Sequence, residues 1–202
     1  MVLTTIDFIR HGEPVGGRRY RGQTDDPLSE KGWSQMWAAV GDFRGWHRIV
    51  TSPLLRCREF AHALGGRLEI PVHVEERLAE LGYGEWEGKT PEQLMAEDPG
   101  ILLRYRRDPV ACRPRGAEDL EVFAARVIAA WDDLAERFAG QHVLVVGHAG
   151  VIRMVLAHVL EIPLGRMFRI QVGNAAVTRF MVEGAGVDAL PSLAFHNGGL
   201  AR

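Results

Sequence analysis

TTIDFIRHGE, Thr4 to Glu13, is an apolar, β-branched run that stops abruptly at Arg10, His11 and Gly12. Such a run reads as a buried strand, and the C-terminal end of a strand is where open α/β sheets place their chemistry. A second stretch of the same kind, VLVVGHAG from Val143 to Gly150, leads into an apolar helical pattern that begins at Val151. Two histidines, each at a strand's exit into glycine, predict one site assembled from distant parts of the chain.

Working outward, the loop GEPVGGRRYRGQTDDP after His11 is rich in glycine and arginine, so it can turn tightly and gather around an anion. Ser29 is placed as the N-cap of a helix carrying Trp33, Met36, Trp37 and Val40. RIVT, Arg48 to Thr51, reads as a short strand ending in Ser52-Pro53, with Arg56 in the first turn of the helix that follows and Gly65 or Gly66 at its exit. Leu68 to Val74 reads as another strand, and the irregular ERLAELGYGEWEGKTPEQL has the composition of a site loop. Short helices to Pro114 are expected to cap a pocket, and Gly116 to Phe138 reads as a long amphipathic helix. Met167 to Val172 and Ala176 to Val182 read as strands turning at Gly173-Asn174, with a further strand over Leu190 to Phe195. Strands alternating with helices predict a three-layer α/β/α sandwich around a mostly parallel, mixed central sheet. Residues 1-202 are read as a single domain, with 78-116 supplying a carboxylate-bearing loop and a small helical cap.

The composition sets limits. The 202 residues carry a net charge of -2, with 47% apolar and 25% charged residues and no long basic run, so no nucleic-acid footprint is visible. Cys57 and Cys112 have no metal-ligand spacing and read as reduced thiols of a cytoplasmic protein. Met1 passes directly into a strand pattern without a signal peptide, and no run has the length of a membrane span. Trp33, Trp37 and Trp46 are candidates for either the core or a homodimer interface.

The chemistry follows from residue types. A neutral imidazole is a nucleophile at neutral pH, and phosphorylating its nitrogen splits phosphoryl transfer into two easier steps. Arginine forks match phosphate oxygens, and Arg10 and Arg56 both sit beside strand ends. His148, if protonated, adds a donor. A leaving alkoxide needs a proton, for which Glu80, Glu85, Glu87 and Glu13 are the candidates. No HExxH, no GxxxxGK[ST] and no GxGxxG is present, so zinc and nucleotide-cradling sites lack motif support. Arg19, Arg21, Tyr83, Trp86 and Asn174 are candidates for reading the rest of a substrate, with Tyr105 beside them and core packing the alternative for Trp86.

The blocks Arg10-His11-Gly12-Glu13, PLSEKG from Pro27 to Gly32, Ser52-Pro53-Leu54-Leu55-Arg56, Leu78-Ala79-Glu80 with Gly84-Glu85-Trp86-Glu87-Gly88, and Gly147-His148-Ala149-Gly150 resemble, in order, the motifs of the histidine phosphatase superfamily, the phosphoglycerate-mutase-like proteins. The resemblance implies that His11 is the phosphorylated nucleophile. It also implies that Arg10, Arg56 and His148 bind the phosphoryl group, that Glu80 protonates the leaving group, and that neither metal nor cofactor is needed. Length and motif detail look most like the α-ribazole phosphatase group. That implies a small-molecule phosphate monoester as partner, α-ribazole 5′-phosphate or adenosylcobalamin 5′-phosphate, in cobalamin biosynthesis. Alternatives are a broad-specificity or sugar-phosphate phosphatase, a phosphoglycerate-mutase-like enzyme, and a non-catalytic phosphometabolite-binding protein. Gly17 stands where mutases generally carry Asn, and Gly116-Ala117-Glu118 departs from a common Gly-Glu-Ser pattern.

Overall fold

The computed structural model describes residues 2–200. In chain order it contains β1 (Leu3–Arg10), α1 (Glu30–Val40), β2 (Arg48–Thr51), α2 (Leu55–Leu68), β3 (Val72–Val74), α3 (Pro91–Glu97), α4 (Ile101–Arg107), α5 (Leu120–Arg137), β4 (His142–Gly147), α6 (Ala149–Val159), β5 (Val177–Glu183) and β6 (Leu190–Gly198). The sheet runs β3-β2-β4-β1-β5-β6; its first four strands are parallel, and β5 and β6 are antiparallel additions.

Side-chain alternation on the central strands builds two cores. Ile6, Phe8, Val143 and Val145 face α5 and α6, while Ile9, Leu144 and Val146 face α1 and α2. The sandwich is therefore three layers deep, with both sheet faces covered as a parallel sheet requires. The caps agree with the local sequence: Ser29 Oγ accepts from Gly32 N, Thr90 and Gln93 form a capping box on α3, and Asp119 caps α5.

Four boundaries differ from the sequence reading. The helix α2 runs to Leu68 and closes on Glu69 in the left-handed region, so β3 shrinks to three residues. Gly65 serves packing rather than helix exit, since a Cβ there would lie 2.3 Å from Val72 Cγ2. The long amphipathic helix starts at Leu120, after Gly116. Leu164–Arg169 is a 3₁₀ segment, so Met167 to Val172 is no strand and β5 pairs with β6 instead. The carbonyls of Ile170, Gln171 and Val172 accept from Arg153, His196 and Arg10, which takes this backbone out of any ladder.

Under β1 lies a buried carboxylate. Asp7 is fully buried and accepts from Trp46 Nε1 at 2.9 Å, His142 Nε2 at 2.8 Å and Arg179 Nε at 2.7 Å. Burial alone would raise its pKa, but the hydrogen bonds from His142 and Arg179 outweigh it and hold the carboxyl below its ordinary value. Asp7→Ala strands the Trp46 and Arg179 donors and is expected to cost about 3–5 kcal/mol, read as a lowered Tm. A folded pKa below the unfolded one means that this stabilisation is present above the unfolded value near 3.8 and is lost as pH falls through the folded value.

Candidate active site

Register brings the two histidines together. Arg10 pairs with Gly147 across β1 and β4, His11 N donates to Gly147 O at 2.9 Å, and Ser52 N donates to Val146 O at 3.0 Å. Three adjacent strand ends thus present His11, His148 and Ser52 side by side, with the imidazole centroids 5.3 Å apart at 65°.

The hydrogen bonds of His11 set its chemistry. Its Nδ1 lies 2.7 Å from Gly12 O, so Nδ1 carries the proton and donates, leaving the Nε2 lone pair unengaged. Burial, and then the positive charges of Arg10 and Arg56, hold its pKa well below the ordinary histidine value. A neutral ring with an unengaged nitrogen lone pair has what a nucleophile requires. His148, fully buried at the N-cap of α6, lies with Nε2 2.6 Å from Ser52 Oγ and 3.6 Å from Cys57 Sγ. Burial, then Arg56 and His11, also push its pKa well down. A phosphoryl dianion beside it supplies the opposite charge that favours protonation.

The two arginines are aimed by backbone carbonyls. Arg10 Nη1 donates to Val172 O at 2.6 Å, while Arg56 Nη1 and Nη2 donate to Thr24 O and Gly22 O, each at 2.7 Å. Both Nε atoms are buried without a hydrogen-bond partner. Buried donors left unpaired are costly, and a pair of them beside two imidazoles marks a place for an anion. Burial, and next the neighbouring Arg153, lower the Arg10 pKa to about 10.

The glutamates separate into distinct roles. Glu80 is buried on the cavity wall, its Oε1 accepting from Leu81 N at 3.0 Å and its Oε2 from Gly150 N at 3.3 Å. Arg126 on α5 holds the backbone beneath it through the carbonyls of Arg77, Ala79 and Glu80. Glu87 lies behind the cavity: its carboxylate accepts from the amides of Gln23, Thr24 and Tyr83, fastening the loop whose carbonyls aim Arg56. Glu85 is exposed and off the cavity wall, and Glu13 on the rim pairs with Lys31. Glu118 binds Arg126 and Gly82 N rather than lining the cavity.

Gly150 permits this arrangement, because a Cβ there would lie 2.2 Å from Glu80 Oε1. Gly150→Ala is expected to push the carboxylate aside and lower kcat on alkyl phosphates by about 10- to 100-fold with little change in KM. Steady-state kinetics beside a thermal melt would check it.

The cavity above these groups has a volume of about 600 Å³. Arg19, Arg21, Tyr83 and Asn174 all line it, though Arg19 is turned onto Gly16 O and Arg21 holds Asp26, Val15 O and Gly17 O. Trp86 does not line it. That ring is buried against Tyr20 and Tyr105, because the short 3₁₀ turn Gly84–Trp86 faces it inward. From the cap, α3 and α4 contribute Pro91, Tyr105 and Arg106 to the wall. Arg153, Tyr20 and Phe168 line the cavity too, and the sequence reading did not single them out. For Arg153 a signal existed, a lone arginine within the apolar stretch of α6. Among the described residues, no group of three His, Cys, Asp or Glu side chains is placed to hold a metal, and no helix is long and apolar enough to cross a membrane.

A model of the histidine phosphatase superfamily (branch 1) matches residues 6–190. A glucosyl-3-phosphoglycerate phosphatase of Mycobacterium tuberculosis is 33% identical over 186 residues, which cover 85% of this chain and 82% of that protein. The solved structure of a mycobacterial hydrolase superposes with a TM-score of 0.87 at 30% identity, covering all of this chain and 94% of the other. A putative α-ribazole-5′-phosphate phosphatase of Escherichia coli, 23% identical with a TM-score of 0.80 and covering 96% of each chain, shares the fold. The chain spans about half the length, 52%, of other mycobacterial relatives that it matches at 32% identity.

Proposed function

The chain belongs to the histidine phosphatase superfamily, and from that premise we propose that it hydrolyses small-molecule phosphate monoesters through a phosphohistidine on His11. The observation that carries this reading is a free Nε2 on a neutral, buried imidazole beside two buried guanidinium Nε donors without partners.

In the first step His11 Nε2 attacks phosphorus and the P–O bond to the alcohol breaks. Arg10, Arg56 and His148 hold the non-bridging oxygens as charge is redistributed. Glu80 gives its proton to the departing alkoxide. In the second step the Glu80 carboxylate takes a proton from water, whose oxygen attacks the phosphohistidine, releasing inorganic phosphate and restoring His11. Every group in this scheme belongs to the chain itself.

The sequence resemblance points to α-ribazole 5′-phosphate. A wall of Tyr20, Tyr83, Tyr105 and Phe168 supports that substrate, since such a surface suits a heterocycle. Phosphate release in the presence of a chelator, comparing α-ribazole 5′-phosphate, simple sugar phosphates and 3-phosphoglycerate by kcat/KM, tests both levels. Turnover of any of them is expected. A preference of orders of magnitude for α-ribazole 5′-phosphate would establish that substrate, whereas tight binding without turnover of any would leave only a phosphometabolite-binding protein.

A further inference from the structure

We propose that His196 and Asn197, at a bulge in the edge strand β6, are positioning residues for phosphoryl binding: they clamp the backbone at 171–173, whose Val172 carbonyl aims Arg10. The proposal rests on the phosphomonoesterase reading, in which Arg10 grips the phosphoryl oxygens.

Little holds Arg10 in place. Among the described residues its guanidinium makes one hydrogen bond, from Nη1 to Val172 O at 2.6 Å, and its Nε has no partner. The direction of the side chain therefore depends on where a single carbonyl stands. Residues 171–173 lie between the 3₁₀ segment Leu164–Arg169 and β5, in neither helix nor strand, so no ladder fixes that carbonyl. Irregular backbone of this kind must find its hydrogen-bond partners in side chains or water.

The edge strand supplies them. Val177 pairs with Gly198 and Arg179 with Phe195, so His196 and Asn197 together stand opposite the single residue Thr178. An extra residue of this kind bends an edge strand and re-aims its side chains. Asn197 takes the left-handed conformation, with φ 57°, which asparagine adopts more readily than most residues. His196 lies with Nε2 2.7 Å from Gln171 O and Nδ1 2.8 Å from Thr178 Oγ1. A carbonyl can only accept, so Nε2 donates to Gln171 O, and in the matching tautomer Nδ1 accepts from the buried Thr178 hydroxyl. Asn197 Oδ1 accepts from Gly173 N at 2.8 Å. One bond thus fixes the carbonyl before Val172 and the other the amide after it. Thr178 also pairs with Phe8 on β1, so the clamp and Arg10 are built on the same two strands.

Substitutions that remove one bond at a time test it. His196→Ala deletes the first, and Asn197→Gly deletes the second while keeping a residue at ease in the left-handed region. Each is expected to weaken inorganic phosphate binding and to raise KM by about 5- to 50-fold, as displacing a binding group does. The loss should be equal for alkyl and aryl esters, because Arg10 grips the part that all of them share. His196→Gln, whose amide can offer a donor in place of Nε2, should recover most of it. The separating readout is a double-mutant cycle with Arg10→Gln, followed by calorimetry with inorganic phosphate and by kcat/KM on p-nitrophenyl phosphate. If the clamp acts through Arg10, adding His196→Ala to Arg10→Gln should cost less than about threefold. An undiminished loss in that background overturns the clamp, as does phosphate affinity within about threefold of the wild type in both single variants. Asn197 is exposed, so its variant carries the same cycle if His196→Ala fails to fold in a thermal melt. Phosphate affinity decides the clamp with or without turnover, whereas a wild type that hydrolyses no ester overturns the phosphomonoesterase reading by itself.

Discussion

His11→Ala is expected to lower kcat by at least about 10⁴-fold on every phosphate monoester, because the substitution removes the bond-forming atom rather than a supporting contact. No neighbour can take over. His148 engages Ser52 through Nε2, and the Cys57 thiol is fully buried, with burial pushing its pKa far up. Substrate binding should survive, since Arg10 and Arg56 are held by backbone carbonyls independently of the imidazole. A brief incubation with a 32P-labelled ester followed by an alkaline detergent quench should show base-stable, acid-labile label on the wild type and none on the variant. Label persisting on His11→Ala, or a rate within tenfold of the wild type, would sink the nucleophile assignment. The pH profile carries the same information. With a folded pKa well below 6.5, the neutral imidazole persists down through mildly acidic solution, so His11 should not produce an acid limb in kcat/KM near 6.5.

Much of this site was legible because a short buried strand leaves little freedom about where it ends. VLVV before Gly147 and TTIDFI before Arg10 each show an apolar run broken by a polar residue, so both histidines stand out on composition and periodicity. Their shared position at strand exits predicted one site, but not the register that sets them side by side. That register depends on β4 lying between β2 and β1, a pairing across more than a hundred residues that the motif resemblance implies but local pattern does not state. The error at Met167 to Val172 has a specific cause. Its apolar residues imitate a strand, yet its carbonyls are committed to arginine and histidine side chains, a choice made by groups far away in sequence. Trp86 shows the same limit, since an aromatic in a glycine-rich loop can face a cavity or the core, and only Tyr20 and Tyr105 decide it.

Packing sets the glutamates apart. Glu80, Glu85 and Glu87 sit within eight residues of one another, and the sequence alone offered all three together with Glu13. Two backbone amides hold Glu80 at the cavity wall, Glu85 turns to solvent, and Glu87 is spent on the loop that aims Arg56. The glycine of the GHAG block then has a physical purpose besides its place in the motif. It lets the N-terminus of α6 approach the Glu80 carboxylate within hydrogen-bond reach.

Glu80→Gln is the change that separates the acid from the rest of the site. An amide keeps the volume and one acceptor for the Leu81 and Gly150 donors, but it can neither give a proton to an alkoxide nor take one from water. For alkyl phosphates the first step should slow by about 10²–10⁴-fold, the usual worth of a general acid. p-Nitrophenolate leaves without a proton, so its first step should slow by less than about tenfold. The second step still needs water activated, and the phosphohistidine should therefore accumulate. Rapid mixing with p-nitrophenyl phosphate is expected to give a burst of nitrophenol approaching one equivalent of enzyme, followed by a slow phase. Both halves of the result follow from the proposed mechanism, in which one carboxylate on the cavity wall acts as acid and then as base. Equal slowing of the alkyl and aryl first steps would take the acid role from Glu80. A missing burst with a fast aryl first step would show that another group prepares the water, leaving Glu80 the acid alone.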